Sequence, residues 1–255
     1  MRLTRCYLPG NWTEGSASVL PREQSDHLVK VLRLRSGAVV EIFDGAGRRW
    51  NATLAGAERG GYQLQIGAAL AVEAEPRLQL TLLQGIARGE KMDWIVQKAT
   101  ELGVYAIQPL ITQFSVVRVD ARQSARKAGH WQAVARSACE QCGRSRLPVI
   151  SAPIELHEYA AAAPTEPGTQ CWVLDPGARA SMMQALDGLR GEDAAARRLQ
   201  LVVGPEGGLS PAELQQLVAR GATPLGLGPR ILRSETAAIV ALALVQGLLG
   251  DLRNC

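Results

Sequence analysis

Two glycine-bearing turns near the C-terminus constrain the fold of this chain more than any other feature. The first is the segment Val203 to Ser210 (VGPEGGLS), and the second is Leu227 to Ala237 (LGPRILRSETA). Each follows a short apolar run typical of a buried strand and precedes the start of a helix. Glycine permits positive φ and a close approach of the backbone, so both turns can present N–H and C=O groups to a ligand. Ligands of open α/β sheets bind at the carboxyl ends of the strands, which makes the two turns a candidate cofactor site.

The first turn does not have the sequence of a phosphate-binding loop. No Gly-Lys-Ser or Gly-Lys-Thr follows Gly204 to Gly208, and the glycine spacing differs from that of dinucleotide-binding turns. Ser210, Pro211 and Glu213 form the pattern of a capping box with proline at the first helical position. The pattern therefore predicts a strand-to-helix turn, and a turn whose glycines serve only packing is the alternative.

The second turn leads into an unusually apolar helix. Ser234 is a predicted N-cap, and Glu235 lies in the first turn, where a carboxylate suits the helix dipole. The helix predicted from Thr236 to Leu249 is apolar on nearly all faces and so must be covered on every side. A subunit interface or a deep core position would provide that cover.

Composition narrows the class of protein. Of 255 residues 47% are hydrophobic, enough for one large domain or for a large domain and a small one. No apolar run reaches the roughly 18–20 residues that span a bilayer, and the N-terminus lacks the apolar stretch of a signal peptide. Five cysteines without regular spacing predict reduced thiols in a cytoplasmic protein. Cys139 and Cys142 lack a second pair or suitably spaced histidines, so we interpret them as structural and predict no metal site.

The positive charge is concentrated in the middle of the chain. The net charge is +4 overall, whereas residues 76–150 alone carry +6. Such an excess favours a polyanionic partner such as nucleic acid. A solvated basic helix explains it equally well.

The order of predicted elements changes near residue 70. Before it, short apolar runs separated by Gly-rich breaks are typical of β-hairpins and predict a small β-barrel. After a linker at residues 68–77, strands alternate with helices, which predicts an α/β domain with a mainly parallel sheet. The predicted strands are 39–43, 49–54, 62–66, 78–83, 106–110, 172–174, 199–203 and 223–228, and the predicted helices are 23–32, 90–102, 121–142 and 236–249.

Several motifs along the chain resemble those of one known family. They are Gly89–Met92 (GEKM), Gln97–Val104 (QKATELGV), Cys139–Pro148 (CEQCGRSRLP), Val202–Ser210 and Leu227–Ala237, with a looser pattern at His27, Val31–Arg33 and Asp44–Gly45. In this order they resemble the SPOUT methyltransferases, and in detail the RsmE family, which methylates N3 of a uridine in 16S ribosomal RNA. The resemblance covers nearly the whole chain and is strongest from Gln84 onward.

The resemblance implies a fold, a cofactor and partners. It implies an RNA-binding β-barrel of PUA/OB-like type at residues 1–72 and a SPOUT α/β domain with a trefoil knot at residues 73–255. The methyl donor would be S-adenosylmethionine, the substrate 16S ribosomal RNA of the small ribosomal subunit, and the active form a homodimer.

It also implies which residues form the site. The residues expected to bind the cofactor are Leu174, Gly204, Pro205, Glu206, Gly207, Gly208, Leu227, Gly228, Ile231, Leu232, Arg233, Ser234, Thr236 and Ala237. Those expected to bind RNA are Arg2, Arg5, His27, Lys30, Arg33, Arg35, Arg88 and Lys91; for His27 a local packing role is equally plausible.

Methylation of N3 of uracil requires loss of the imide proton. Arg233 is the candidate for stabilising the developing negative charge, because it lies in the second turn and is always ionised. Glu206 and Glu235 are candidates for the base, although Glu235 also suits a helix-dipole role. Two other functions remain open, a 2′-O-ribose methyltransferase of the same superfamily and a non-catalytic RNA-binding assembly factor.

Overall fold

A computed structural model of the chain describes residues 3–59, 61–71, 77–115, 121–162, 168–189 and 198–254. The chain forms two compact units. Unit 1 consists of residues 1–75 and 139–147, and unit 2 consists of residues 76–138 and 148–255.

Unit 1 is a curled five-stranded sheet built mainly from hairpins. Its strands are β1 (Arg5–Tyr7), β2 (Ala17–Pro21), β3 (Val39–Phe43), β4 (Arg49–Glu58) and β5 (Gly61–Ala69). They pair in the order β1-β3-β4-β5-β2, and β3-β4 and β4-β5 are antiparallel. The hairpins predicted from the Gly-rich breaks are therefore confirmed for β3-β4 and β4-β5. Alternate residues of β4, including Trp50, Ala52 and Leu54, point into the core of the unit, as the period of a half-buried strand requires.

The helix predicted at residues 23–32 is shorter and less regular than expected. The structure has α1 (Arg22–Asp26) followed by one π-helical segment (His27–Val31). The chain leaves this segment at Arg33, whose φ of 55° is in the left-handed region. Val29 and Val31 are β-branched and therefore poor helix formers, which helps to explain why the regular helix ends early.

The segment 139–147 belongs to unit 1 although it follows a helix of unit 2. Arg5 donates a hydrogen bond to Ser145 Oγ (2.9 Å), and the backbone N–H of Tyr7 donates to Glu140 Oε1 (3.0 Å). Leu147 N–H also donates to Gly45 O (3.0 Å). The motif that contains Cys139 and Cys142 therefore serves to dock this segment on the N-terminal sheet, which agrees with a structural role for that pair.

Unit 2 is an α/β domain whose described strands pair in parallel. The strands are β6 (Gln79–Gly85), β7 (Ala106–Ile111), β8 (Val149–Ile150), β9 (Ile154–Glu155), β10 (Thr169–Leu174), β11 (Arg198–Val203) and β12 (Thr223–Leu225), and the helices are α2 (Lys91–Glu101), α3 (Ala121–Cys142), α4 (Leu156–Ala161), α5 (Met182–Asp187), α6 (Pro211–Ala219) and α7 (Ser234–Leu249). A short 3₁₀ helix, Asp251–Asn254, follows α7. The order is β12-β10-β11-β6-β7-β8, with β9 also on β7. The predicted parallel sheet is confirmed, and the carboxyl ends of its strands lie at one edge.

The last helix buries one face in the core of unit 2. Ala238, Leu242, Val245 and Leu249 are almost fully buried, whereas Val240 is partly exposed. The helix begins at Ser234, with Arg233 in the N-cap position and no side-chain cap. The prediction of Ser234 as N-cap is therefore wrong, because its hydroxyl bonds to two other elements described below.

The tryptophans do not all belong to the core. Trp50, Trp131 and Trp172 are buried, whereas Trp94 is exposed on the outer face of α2.

The described residues include no helix that is both long and apolar enough to cross a membrane.

Candidate active site

A cavity of about 420 Å³ lies where β10, β11 and β12 end. It is lined by Lys91, Leu174, Asp175, Pro176, Val203, Gly204, Pro205, Glu206, Gly207, Gly208, Leu209, Leu214, Leu225, Leu227, Gly228, Arg230, Ile231, Leu232, Arg233, Ser234 and Ala237. Its volume is within the usual range for small-molecule sites, and its walls combine apolar side chains with bare backbone. Both glycine turns contribute to it.

The first turn is compact because two of its glycines cannot carry a side chain without strain. Gly208 has a φ of +74°, and its N–H donates to Pro205 O (2.9 Å). A Cβ on Gly204 would lie 3.0 Å from the carbonyl carbon of Gly208. The helix after the turn starts with the predicted capping box, in which Ser210 and Glu213 bond reciprocally.

Gly207 lines the cavity and also packs against a neighbouring loop. A Cβ at this position would lie 2.7 Å from Cβ of Phe114, on the loop after β7. Gly207 lines the cavity with its backbone, and its missing side chain makes room for Phe114. The glycine is therefore required for packing as well as for access.

Gly85, at the end of β6, packs directly against the first glycine turn. A Cβ there would lie 2.5 Å from both the nitrogen and Cδ of Pro205. Sequence inspection missed this residue because a single strand glycine has no local signature. Its requirement arises from a turn more than a hundred residues away.

Buried side chains join the two glycine turns. Ser234 Oγ donates to Gly204 O (2.5 Å) and accepts a hydrogen bond from Gln84 Nε2 (3.1 Å). The second turn is further fixed by Gly226, whose N–H donates to Ala180 O (2.8 Å), and Gly228 has a φ of +99°. The start of α7 is thereby held against the loop after β11.

Three charged side chains meet at the edge of the cavity. Lys91 Nζ lies 3.2 Å from Glu206 Oε1 and 3.4 Å from Glu235 Oε1. The backbone N–H of Arg88 also donates to Glu206 Oε1 (3.2 Å). Burial alone would raise the pKa of Glu206, but hydrogen bonds from its own backbone and from Arg88, with the charge of Lys91, hold that pKa below its ordinary value. Glu206 is therefore a carboxylate at neutral pH.

Arginines supply the unneutralised positive charge of the cavity. Arg230 and Arg233 both line it and are exposed, and neither forms an ion pair with any residue that the structure describes. Arg233 directly precedes α7. Its position is fixed by Ser234, the next residue, through the hydrogen bonds to both neighbouring elements.

The structure brings together nearly all residues predicted to bind the cofactor. Thirteen of the fourteen line the cavity, and Thr236 is the exception because it lies on the exposed side of α7. Among the catalytic candidates, Arg233 and Glu206 line the cavity, whereas Glu235 reaches it only through Lys91. Asp175, Pro176 and Arg230 also line it, and no motif in the sequence singles them out.

The residues predicted to bind RNA are in different environments. Lys30, Arg33 and Arg35 are exposed on unit 1, and Arg88 is exposed on unit 2. Lys91 lines the cavity. Arg2 and the side chain of His27 lie outside the described residues.

Arg5 is unsuitable for RNA binding. Its side chain is only 4% exposed, and its guanidinium lies 3.0 Å from Glu41 Oε1 and stacks over the ring of Phe43. A guanidinium this deeply buried, and paired with Glu41 and Ser145, is out of reach of a phosphate at the surface, so the structure contradicts the expectation for Arg5. The positive charge of Arg5 was a misleading indication of RNA binding, because charge alone does not tell whether a side chain is exposed.

Comparisons with known proteins match both units. Residues 74–246 match the family model described as an RNA methyltransferase domain, and residues 20–67 match that of an RNA methyltransferase PUA domain. Among curated relatives, ribosomal RNA small subunit methyltransferase E of Mycobacterium bovis is 32% identical over 91% of this chain and 86% of its own. The same enzyme of Bacillus subtilis is 28% identical over 88% and 87%.

Two similar solved structures contain a bound ligand. A methyltransferase of Legionella pneumophila in complex with S-adenosylmethionine has a TM-score of 0.89 and 33% identity, covering 98% of this chain and all of its own. Ribosomal RNA small subunit methyltransferase E of Neisseria gonorrhoeae bound to S-adenosylmethionine has a TM-score of 0.86 and 32% identity, covering 98% and 99%.

Proposed function

The chain belongs to the RNA methyltransferase family, and on that premise we propose that it methylates N3 of a uridine in 16S ribosomal RNA with S-adenosylmethionine as donor. The observation that carries the proposal is the cavity between two glycine turns, in a chain similar over almost its full length to ribosomal RNA small subunit methyltransferase E. The N3 position itself follows from the resemblance of the motifs to the RsmE family.

The cavity fits S-adenosylmethionine in size and in chemistry. Leu174, Leu227 and Ala237 would provide apolar contacts for an adenine ring, and the backbone of the two turns would provide donors and acceptors for its polar atoms. A Cβ on Gly204 would crowd the backbone of Gly208 and Leu209, so the first turn keeps this shape only because the side chain is absent. When bound, S-adenosylmethionine supplies an electrophilic methyl group.

The residues around the cavity would position the uracil and balance charge. Arg233 is free to stabilise the negative charge that develops on the ring as N3 loses its proton. Glu206 already accepts hydrogen bonds from Lys91 and Arg88, whereas Glu235 Oε2 has no hydrogen-bond partner in the described part of the chain. Glu206 lines the cavity and could accept the proton directly, whereas the unpaired oxygen of Glu235 is buried and is reached only through a movement of Lys91.

The family match favours this function over the alternatives. A non-catalytic assembly factor would not need two glycine turns that form the wall of a cofactor-sized cavity. A 2′-O-ribose methyltransferase would need the same cofactor cavity, so that alternative is tested by the chemistry of the product.

Transfer of label from methyl-labelled S-adenosylmethionine to 16S RNA tests the proposal. We expect label in RNA from small ribosomal subunits of cells that lack this activity, and none in the large-subunit RNA. Calorimetric binding of S-adenosylmethionine without any transfer to RNA would instead support the assembly-factor function.

We further propose that unit 1 binds RNA, with residues 1–72 as its domain and 73–255 as the methyltransferase domain. The PUA match at residues 20–67 and the exposed cluster of Lys30, Arg33 and Arg35 support this assignment. Because the proposed substrate is ribosomal RNA, the protein would act in the cytoplasm.

Replacing Arg33 and Arg35 together with alanine is expected to weaken RNA binding. For every phosphate that these side chains neutralise, the substitution should reduce the slope of log K against log salt by roughly 0.7–0.9. Affinity for S-adenosylmethionine should not change, because that cavity is built from residues of unit 2. Filter binding at several salt concentrations measures the slope, and an unchanged slope would show that these arginines do not contact phosphate.

We propose that α7 also forms the interface of a homodimer. Val240 is exposed, and Ala243, Leu244 and Leu248 are only partly buried, so the outer face of the helix remains apolar within one chain. Apolar helix faces of this kind are typical of subunit interfaces.

Val240→Glu is therefore expected to produce monomers. Val240 is 36% exposed, so the variant should fold, and Val218→Glu on α6, at a 44% exposed position, is the matched control. Leu242 and Leu249 are unsuitable because they belong to the core of the chain. Analytical ultracentrifugation at micromolar concentration should detect a dimer for the wild type and Val218→Glu only. A monomeric wild type would contradict the proposal.

A further inference from the structure

Lys91 occupies a position that is unfavourable for its own helix. It is the first residue of α2, where the helix dipole presents partial positive charge. A cation at this end destabilises a helix unless nearby carboxylates compensate for it. The ammonium has two such carboxylates, and both come from distant parts of the chain.

These two carboxylates belong to the two elements that form the cofactor cavity. Glu206 lies in the turn after β11, and Glu235 lies in the first turn of α7. Lys91 Nζ lies 3.2 Å from one and 3.4 Å from the other. One side chain therefore links the start of α2, the first glycine turn and the start of α7.

Glu235 needs its ion pair with Lys91 because most of its side chain is buried. Glu235 Oε2 is buried with no hydrogen-bond partner among the described residues, and its side chain is 17% exposed. Removal of Lys91 would leave this carboxylate largely buried without its cation, which is strongly unfavourable. The start of α7, with Arg233 two residues earlier, would have to move to give the carboxylate access to water.

We propose that Lys91 is a positioning residue that clamps the two cofactor turns together, rather than an RNA-binding residue. This inference rests on the proposed function for the identity of the ligand. It assigns to Lys91 the task of holding Glu206 and Glu235, and through them the glycine turn and Arg233, in the geometry of the cavity.

The test compares Lys91→Met with a matched variant on the same helix. Lys98→Met removes an ammonium that is 32% exposed, against 33% for Lys91, and whose ion pair is with Glu101 on the same helix (2.8 Å). Calorimetry should give about a tenfold weaker affinity for S-adenosylmethionine in Lys91→Met, equivalent to about 1.4 kcal/mol. Lys98→Met should bind as the wild type does.

Two further variants separate a clamp from general destabilisation. Lys91→Arg keeps a cation that can pair with both carboxylates and should restore affinity to within about threefold of the wild type. Adding Glu235→Gln to Lys91→Met removes the uncompensated buried charge and should recover part of the lost affinity for S-adenosylmethionine. The two substitutions would then be non-additive in a double-mutant cycle. If Lys91→Met does not fold, the single variant Glu235→Gln still tests one arm of the clamp and should weaken binding severalfold.

RNA binding distinguishes the clamp from a phosphate contact. The salt dependence of RNA affinity should be the same in Lys91→Met and the wild type. A flatter slope with unchanged affinity for S-adenosylmethionine would overturn the clamp and return Lys91 to the RNA-binding residues. Equal losses of affinity in Lys91→Met and Lys98→Met would overturn it as well.

The proposed function can fail without deciding this inference. A wild-type protein that binds S-adenosylmethionine but transfers no methyl group to 16S RNA would refute the function, while the calorimetric comparison would still test the clamp.

Discussion

Arg233→Ala is expected to reduce the rate of RNA methylation by about 10²- to 10³-fold, the usual effect of removing one group that stabilises developing charge. Arg233 lines the cavity and forms no ion pair with the described residues, so its charge is available to a substrate. Negative charge grows on the uracil ring as N3 loses its proton, and a fixed guanidinium counteracts it. RNA affinity should change little, since the effect lies in the chemical step.

Single-turnover assays at saturating RNA measure this effect. Arg233→Lys keeps the charge but loses the planar fork, so its rate should lie between those of Arg233→Ala and the wild type. Arg179→Ala removes an exposed arginine outside the cavity and should not alter the rate. An Arg233→Ala protein with at least half the wild-type rate would exclude Arg233 from catalysis.

Gly85→Ala is expected to weaken binding of S-adenosylmethionine at least tenfold, or by about 1.4 kcal/mol. The added methyl group would lie 2.5 Å from the nitrogen and Cδ of Pro205, which is backbone and ring rather than a flexible side-chain end. The first glycine turn must therefore shift. Because that turn forms one wall of the cavity, its displacement would weaken the hold on the ligand although Gly85 itself does not line the site.

Gly129→Ala provides the control for this substitution. A Cβ at Gly129, within α3, meets nothing within 4 Å, and alanine is the better helix former. Calorimetry should detect wild-type affinity in that variant. Thermal unfolding of both proteins distinguishes a displaced turn from a loss of folding, and a folded Gly85→Ala with wild-type affinity would refute the role of Gly85.

Hydrophobic pattern and turn chemistry are sufficient to predict most of the architecture. The pattern predicts α3 from Ala121 to Cys142, and the structure has the same bounds. The capping box predicted at Ser210 and Glu213 is present. Such features depend on residues close together in the sequence, so local reasoning is adequate for them. The trefoil knot is expected only from the resemblance to the family, because threading of the chain leaves no periodic pattern in the sequence.

The errors concern side chains whose partners are distant in sequence. Ser234 has the sequence context of a helix cap, but it bonds to Gln84 and Gly204 instead. Arg5 has the charge expected of an RNA-binding residue, but Glu41 and Ser145 hold it in the interior of unit 1. Local propensity cannot predict such contacts, since they arise only when tertiary packing brings the partners together.

In the candidate site, too, the features set by neighbouring residues are predictable, whereas contacts between distant residues are not. Its glycine turns are recognisable because glycine, proline and a helix start have local meaning. The charge of Lys91 is visible in the sequence and suggests RNA binding, whereas its two carboxylate partners are not adjacent to it in the chain. The need for glycine at position 85 is likewise not predictable from the sequence, because Gly85 packs against Pro205, which is distant in the chain.

The base of a uridine in 16S ribosomal RNA, and not its ribose, should receive the methyl group. The most direct measurement is mass spectrometry of nucleosides from small-subunit RNA that has been treated with the protein and S-adenosylmethionine. We predict one new product, N3-methyluridine, which is lost in the Arg233→Ala variant. A 2′-O-methylated nucleoside, or no new methylated nucleoside from RNA that the protein binds, would contradict the account.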